Sequence, residues 1–414
     1  MAKTASAKTA KLPPIKGNML IAQSGGPTVV INQSLVGAVL EAKKHKEIRK
    51  IYGSLHGLKG ILEENLCDLG KESKANLELV AQTPSSALGS VRKKPTPEDC
   101  VKVFQVLQKH DIRFFFYIGG NDSAETTHII NEEAIKAGYV MRCFHICKTI
   151  DNDLRENDHT PGFGSAAKFV AQAFMGDNLD NRSLPGIKIN VVMGRHAGFL
   201  TAAAALARQH PGDGPHLIYL PERAFSMDKF LADVKAVFEK QKRCVIAVSE
   251  GIGDETGVAI ASKFIKETDT HGNIQLSGSG ALGDLLADAI RKAEITSRVR
   301  ADTFGYLQRS FVGVVSKTDA TEARAAGAAA VKFATAGQFA NGSTAIKRKP
   351  GKAYKTWIER TELRNVAKET RHMPDEWINA AGNDVTPAFL AYAKPIVGDL
   401  PKTGRLKAVP VKKG

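Results

Sequence analysis

The run Phe114-Phe115-Phe116-Tyr117-Ile118 has no charged position and no alternation. A strand with one wet face alternates apolar and polar residues, so an unbroken run of this kind suits a parallel strand covered on both faces. It opens onto Gly119-Gly120-Asn121-Asp122-Ser123 and then a helical stretch near 124–137. The same order occurs earlier: an apolar strand over 19–23, the turn Ser24-Gly25-Gly26-Pro27, and an amphipathic helix over 30–43. Strands over 48–53 and 141–146 and a helix over 97–110 fill the rest of the first half. Repeated strand–loop–helix units predict a doubly wound sheet, with polar loops gathered at one edge.

The second half continues in this style. A helix is predicted over 164–175 and a strand over 187–193, which opens on Gly194-Arg195-His196-Ala197-Gly198. A small-residue helix over 199–208 follows, then strands over 217–220 and 244–248, the latter closing on Ser249-Glu250-Gly251. After a helix over 281–293 comes a strand that ends at Gly305-Tyr306-Leu307-Gln308-Arg309, then an Ala-rich helix over 320–339 interrupted by Gly327 and Gly337. Density of turn residues marks 265–283 as a surface or ligand-covering loop. From Ser343 the chain turns polar and basic and reads as an appended C-terminal segment. At 414 residues the expectation is two domains. The fold class is α/β, as two Rossmann-like doubly wound domains with mainly parallel sheets.

A formal charge of +15 raises the question of nucleic acid. Much of the excess sits at the ends, in Lys3, Lys8, Lys11 and Lys16 and in Lys402, Arg405, Lys407, Lys412 and Lys413. Acid-free tails of this kind read as solvated, and no zinc-finger, helix-turn-helix or RNP pattern accompanies them. The expectation is no nucleic acid, no membrane, and a positive balance that suits an anionic substrate. The cysteines Cys67, Cys100, Cys143, Cys147 and Cys244 form no CxxC pair, which fits reduced thiols in a cytoplasmic protein. Residues 1–16 read as a flexible basic leader; lacking arginine, it makes a poor transit peptide.

The polar run that carries chemistry is Lys148-Thr149-Ile150-Asp151-Asn152-Asp153, at the end of the 141–146 strand. A carboxylate beyond a strand end can serve as general base, with the lysine beside it as a clamp for anions. From the run alone, a solvated turn capped by its own Asp and Asn is the slightly favoured reading. Arg92, closing the hydroxyl-rich loop 83–94, is likewise either a phosphate ligand or a solvated cation. A histidine at a helix start, His196, is read as structural.

Ser24-Gly25-Gly26-Pro27, Gly119-Gly120-Asn121-Asp122-Ser123, Lys148-Thr149-Ile150-Asp151-Asn152-Asp153, Met193-Gly194-Arg195, Ser249-Glu250-Gly251 and Tyr306-Leu307-Gln308-Arg309 occur in this order. The set resembles the 6-phosphofructokinases, and more closely their pyrophosphate-dependent branch, over about 18–340. The tail from Arg371-His372-Met373-Pro374 is also similar to that branch. The resemblance implies a donor-binding domain over 17–160, completed by about 313–390, a sugar-phosphate domain over 161–312, a basic tail over 391–414, and a site in the cleft between the domains. It implies reversible phosphoryl transfer to the C1 hydroxyl of fructose 6-phosphate, in glycolysis or gluconeogenesis.

By the same resemblance Asp151 is the catalytic base, with Lys148, Asp122 and Arg92 acting on the phosphates. Thr149, Ile150, Asp153, Met193, Gly194, Arg195, Glu250, Arg300, Tyr306, Gln308 and Arg309 hold the sugar phosphate, and Gly26 contacts the donor. ATP-dependent relatives carry glycine where Asp122 stands and a small residue where Lys148 stands, so the pair implies pyrophosphate as donor. Asn121 stands where the family generally has aspartate on the Mg²⁺ side, which implies metal contact through water. Some family members complete the site from a neighbouring subunit, so a homodimer or homotetramer is implied. The alternatives are the same fold using ATP, or a non-catalytic sugar-phosphate sensor.

Overall fold

The computed structural model describes residues 11–91, 96–263, 280–351, 353–367 and 370–411. Arg92 and most of the loop expected over 265–283 lie outside the described residues. The first half comprises β1 (Gly17–Gln23), α1 (Ile31–Ala42), β2 (Ile48–Ser54), α2 (Leu58–Leu62), β3 (Leu66–Asp68), α3 (Lys74–Gln82), α4 (Pro97–Lys109), β4 (Ile112–Gly119), α5 (Asn121–Lys136) and β5 (Arg142–Cys147). Next come α6 (Phe163–Ser183), β6 (Ile187–Val192), α7 (Phe199–Ala202), β7 (Leu217–Tyr219), α8 (Met227–Gln241), β8 (Cys244–Ser249), α9 (Ala281–Lys292) and β9 (Val299–Thr303). The chain closes with α10 (Lys317–Thr335), β10 (Asn341–Arg348), β11 (Thr356–Thr361), α11 (Leu363–Val366) and α12 (Pro387–Val397).

Among the described residues the strands form two sheets, ordered β11-β10-β5-β4-β1-β2-β3 and β7-β8-β6-β9. The first is parallel except at its edges, where β11 and β3 run antiparallel to their neighbours. The second is parallel throughout. In the first sheet the chain leaves β1 towards β2 and β3, then returns on the other side to β4, β5 and β10. The β1/β4 boundary is therefore the switch point, where parallel sheets open a ligand crevice beyond their strand ends.

The unbroken apolar character of β4 has the expected cause. Phe114, Phe116 and Ile118 pack into the core beneath α1 and α10, while Phe115 and Tyr117 pack into the one beneath α4 on the opposite face. The helix α4 starts where its sequence dictates: Thr96 and Asp99 form a reciprocal capping box, with Pro97 in the first turn. The glycine interrupting the Ala-rich helix is a packing seam. A Cβ on Gly327 would lie 1.9 Å from Ser34 O, and one on Gly37 would lie 2.2 Å from Arg324 O, so α1 and α10 touch backbone to backbone.

Four expectations are corrected. The segment from Ser343 is not appended: β10 pairs in parallel with β5 and carries β11 as an edge strand. Its polar sequence reflects that edge, where one face of β11 stays wet, and the buried Ser343 and Thr344 that bond to His145 and Cys147. Residues 391–397 are not tail either. They belong to α12, whose Phe389, Tyr392, Ala393 and Ile396 join the core of the second sheet's lobe. The leader is tethered from residue 12: Leu12 N–H donates to Gly337 O at 2.7 Å and Pro13 O accepts from Arg142 at 2.9 Å. Only the start of the small-residue helix is α-helical, because Ala203–Ala207 tighten into a 3₁₀ turn before Arg208 becomes extended.

Candidate active site

Three strand ends in the first sheet build one wall of the cleft. After β1, Gly25 takes a φ of +74°, a left-handed value that costs glycine nothing, and its carbonyl accepts a 2.6 Å bond from Ser90 Oγ. After β4, a Cβ on Gly119 would lie 2.0 Å from Ser123 Oγ, so only glycine lets α5 start so close to the strand. After β5, Lys148 N–H donates to Gly119 O at 2.9 Å, and its Nζ donates to Gly26 O at 2.7 Å. Lys148 is only 4% exposed, so this ammonium is held in place beneath the glycine turn.

Behind it, His145 is fully buried, with Nε2 2.8 Å from Gly119 O and Nδ1 2.8 Å from Ser343 Oγ. A carbonyl only accepts, so Nε2 carries the proton and Nδ1 receives one from the serine. Burial pushes this imidazole down to about 4, aided by the charge of Lys148. It stays neutral beside the lysine.

The polar run turns sharply in the cleft. Asn152 adopts a φ of +60°; its Nδ2 donates to Tyr392 Oη at 2.7 Å and its Oδ1 accepts from Thr160 N–H at 3.1 Å. On either side sit the half-buried Asp151 and Asp153. Thr149 Oγ1 accepts from Asp151 N–H at 3.2 Å, and Thr149 is bridged to Gly162. Burial raises the Asp151 carboxyl, against the opposing pull of Arg309, Lys148, Arg195 and His196. Burial and the neighbouring Asp151 charge push Asp153 up to about 7, while Arg371 and Thr149 hold it back. A carboxylate pair so placed is suited to taking a proton near neutrality.

The second sheet supplies the facing wall. Gly194, at a φ of +146°, donates its N–H to Glu250 Oε1 at 3.4 Å, and its carbonyl accepts from Ser249 Oγ at 2.6 Å. Met193 N–H donates to Gln308 Oε1 at 3.3 Å, and Gln308 Nε2 donates to Gly305 O at 2.8 Å. These bonds knit the ends of β6 and β8 to the turn after β9. From that turn Arg309 reaches across: its guanidinium lies 3.1 Å from where a Cβ on Gly26 would stand, and 4.5 Å above the Tyr306 ring. One arginine of the second lobe therefore touches the glycine turn of the first.

Gly26, Lys148, Thr149, Asp151, Asp153, Arg195 and Arg309 are thus brought together, with Met193, Gly194 and Glu250 in the facing loops. The side chains of Ile150 and Met193 are buried in the apolar core of the second lobe, and the amide of Gln308 is consumed between Met193 N–H and Gly305 O. Arg300 is exposed and second in β9, roughly 10 Å before its carboxyl end at 3.3 Å per residue. Tyr306 is 45% exposed at the rim. Asn121 and Asp122 lie in the first turn of α5, which starts three residues earlier than expected. Asn121 Oδ1 accepts from Asp122 N–H at 2.9 Å, and the Asp122 side chain is exposed. The sequence alone assigns no role to Asn152, Arg371 or Tyr392, although Arg371 opens the tail motif.

A glycine turn, a seated lysine, a carboxylate pair and crossing arginines between two doubly wound lobes define an α/β enzyme cleft for anionic substrates. The family model described as Phosphofructokinase matches residues 18–334. A pyrophosphate–fructose 6-phosphate 1-phosphotransferase of Rhodospirillum rubrum is 56% identical over 395 residues, covering 95% of this chain and 97% of its own length. One of the same description from Xanthomonas campestris pv. campestris is 40% identical, covering 93% of each chain. The crystal structure of a pyrophosphate-dependent phosphofructokinase from Marinobacter aquaeolei superposes with a TM-score of 0.82 at 34% identity, covering 96% of this chain and 98% of that one. The chain belongs to the phosphofructokinase family, as the ordered motifs imply.

Proposed function

We propose that this chain transfers a phosphoryl group from pyrophosphate to the C1 hydroxyl of fructose 6-phosphate, reversibly, giving fructose 1,6-bisphosphate and phosphate. The observation that carries the reading is the placement of Lys148, with Nζ 2.7 Å from Gly26 O and the carboxylate loop directly following in sequence. Pyrophosphate is a compact anion with no nucleoside to bind, and a buried cation at the glycine turn suits it. The carboxylate of Asp122 at the start of α5 would repel the α-phosphate of a nucleotide.

In this reading Asp151 accepts the C1 hydroxyl proton as the oxygen forms its bond to phosphorus and the bond to the leaving phosphate breaks. Lys148 offsets charge on the transferring and leaving groups, while Arg309 and Tyr306 grip the 6-phosphate of the sugar. Thr149 and Asp153 hold the acceptor end, while Arg195, Glu250 and the 193–194 turn bind the sugar. In the reverse direction Asp151 returns the proton. Arg92 joins the donor clamp on the strength of the family resemblance.

The reaction calls for Mg²⁺. Among the described residues no group of three His, Cys, Asp or Glu side chains could cage a metal ion. The oxygens of Asn121 and Asp122 suit an ion that keeps most of its waters and rests on substrate phosphates, which is the habit of Mg²⁺. Bound there, it would supply positive charge to phosphate oxygens. The exposed position of Arg300 fits a residue that serves a neighbouring copy, so a homodimer or homotetramer belongs to the proposal, as does a cytoplasmic location. No helix among the described residues is long and apolar enough to cross a membrane.

Phosphorus NMR of the products tests the reading. A phosphate ester at C1 is expected with fructose 6-phosphate and pyrophosphate, and pyrophosphate is expected from fructose 1,6-bisphosphate and phosphate. A product phosphorylated elsewhere, or none, overturns it. The same run with sedoheptulose 7-phosphate reads out acceptor breadth.

A further inference from the structure

We propose that Arg371 and Tyr392, both beyond the last residue of the family match at 334, are positioning residues that set the geometry of the catalytic loop. This rests on the reaction proposed above. Arg371 lies in an extended stretch whose neighbour Thr370 is bridged to Leu154. Its backbone N–H donates to Asp153 O at 2.7 Å, and its Nη2 donates to Asn152 O at 2.8 Å. Its Nη1 donates to Asp158 O at 2.7 Å and also to Asn157 O. The guanidinium carbon lies 4.8 Å above the Phe199 ring. One side chain thus collects three carbonyls from the loop that follows Asp151, and a planar, rigid fork does this better than any other side chain.

Tyr392 locks the same loop from α12. Its hydroxyl donates to Asp158 O at 2.8 Å and accepts from Asn152 Nδ2 at 2.7 Å. The ring is fixed by packing 4.5 Å from that of Trp377 and within the second lobe's core. The left-handed turn at Asn152, which separates Asp151 from Asp153, is therefore held at its carbonyl by Arg371 and at its amide by Tyr392. Neither residue is in the motifs that carry the chemistry. Both act through Asn152 and the backbone on where the Asp151 carboxylate stands, and a misplacement near 1 Å can cost about a hundredfold in rate.

The test is steady-state kinetics with pyrophosphate on wild-type, Arg371→Ala, Arg371→Lys and Tyr392→Phe proteins, each with a melting temperature. Arg371→Ala is expected to lose about a hundredfold in kcat with the KM for fructose 6-phosphate little changed. Low-millimolar guanidinium ion should restore part of that rate, and Arg371→Lys should fall between the two. Tyr392→Phe removes one oxygen and keeps the packing, so it carries the test if Arg371→Ala does not fold. It should lower kcat without shifting KM. Wild-type kcat in Tyr392→Phe, or a loss in Arg371→Ala that appears only in KM and is not rescued, overturns the assignment. A wild-type protein inactive with pyrophosphate would overturn the underlying reaction instead.

Discussion

The ammonium of Lys148 lies 2.7 Å from the carbonyl oxygen of Gly26 and donates a hydrogen bond to it, linking the end of β5 to the turn after β1 across the intervening β4. The acceptor is a neutral carbonyl, so this bond orients the ammonium without cancelling its charge. Orientation of a charge before the reaction is what makes electrostatic stabilisation effective, because nothing has to reorganise during the step. In the proposed reaction the glycine turn receives the donor with this cation already oriented.

Lys148→Met fills the same volume and removes the charge. Turnover with pyrophosphate should fall by about 10²- to 10³-fold, the usual cost of deleting one preorganised donor. Initial rates on a variant shown to be folded by circular dichroism check this, and a rate within a fewfold of wild type would contradict it.

Asp122→Gly combined with Lys148→Gly should open the site to nucleotide. ATP is expected to compete with pyrophosphate in the double variant and not in the parent. Binding of ATP measured by calorimetry decides the point, and equal failure of both proteins removes Asp122 and Lys148 as gatekeepers.

The carboxylate pair sets an acid limit. A base must be unprotonated, and both Asp151 and Asp153 are raised, Asp153 to about 7 through burial and the Asp151 charge beside it. The forward rate should therefore decline as pH falls below about 7. Asp153→Asn removes the like charge and should move that decline to lower pH. A limb that stays in place in Asp153→Asn would show that the pair does not govern it.

Away from the cleft, the buried His159 is bonded to Asp158 Oδ1 at 2.8 Å and to Glu322 Oε2 at 2.6 Å. Burial pulls His159 down, but the two carboxylates outweigh it and its pKa ends raised above the ordinary 6.5. Burial likewise opposes the Glu322 charge, yet His159, Thr356 and Tyr354 hold its carboxyl below 4.5. A raised histidine stabilises fully below its unfolded value and loses that stability as pH rises through the folded one. A lowered carboxylate stabilises above its unfolded value and loses that as pH falls through the folded one. The pair should therefore contribute most between about 4.5 and 6.5 and fade on the alkaline side. His159→Gln should cost roughly 3 kcal/mol in that window and flatten the alkaline decline. Denaturant unfolding at a series of pH values reads both, and an unchanged profile would contradict the ion pair.

Much of this was legible in the chain. The strands β4 and β5 announce themselves because both faces are covered, and the ligand loops because glycine and polar residues follow buried strands. What escaped was long-range. The edge strand β11 keeps a wet face, so Trp357 and Glu359 beside Ile358 do not read as part of a core sheet. Asn152 and Arg371 meet only in the folded chain, 219 positions apart, and no local pattern signals that an arginine will spend its donors on backbone carbonyls. Arg300 and Arg309 look alike in sequence, yet they fall on either side of the β9 terminus, one within the strand and the other against Gly26.

The most direct test is a comparison of donors on the wild-type protein. With fructose 6-phosphate and Mg²⁺ fixed, initial rates are measured with pyrophosphate and with ATP. Turnover with pyrophosphate and essentially none with ATP is predicted; turnover with ATP and none with pyrophosphate would contradict the account.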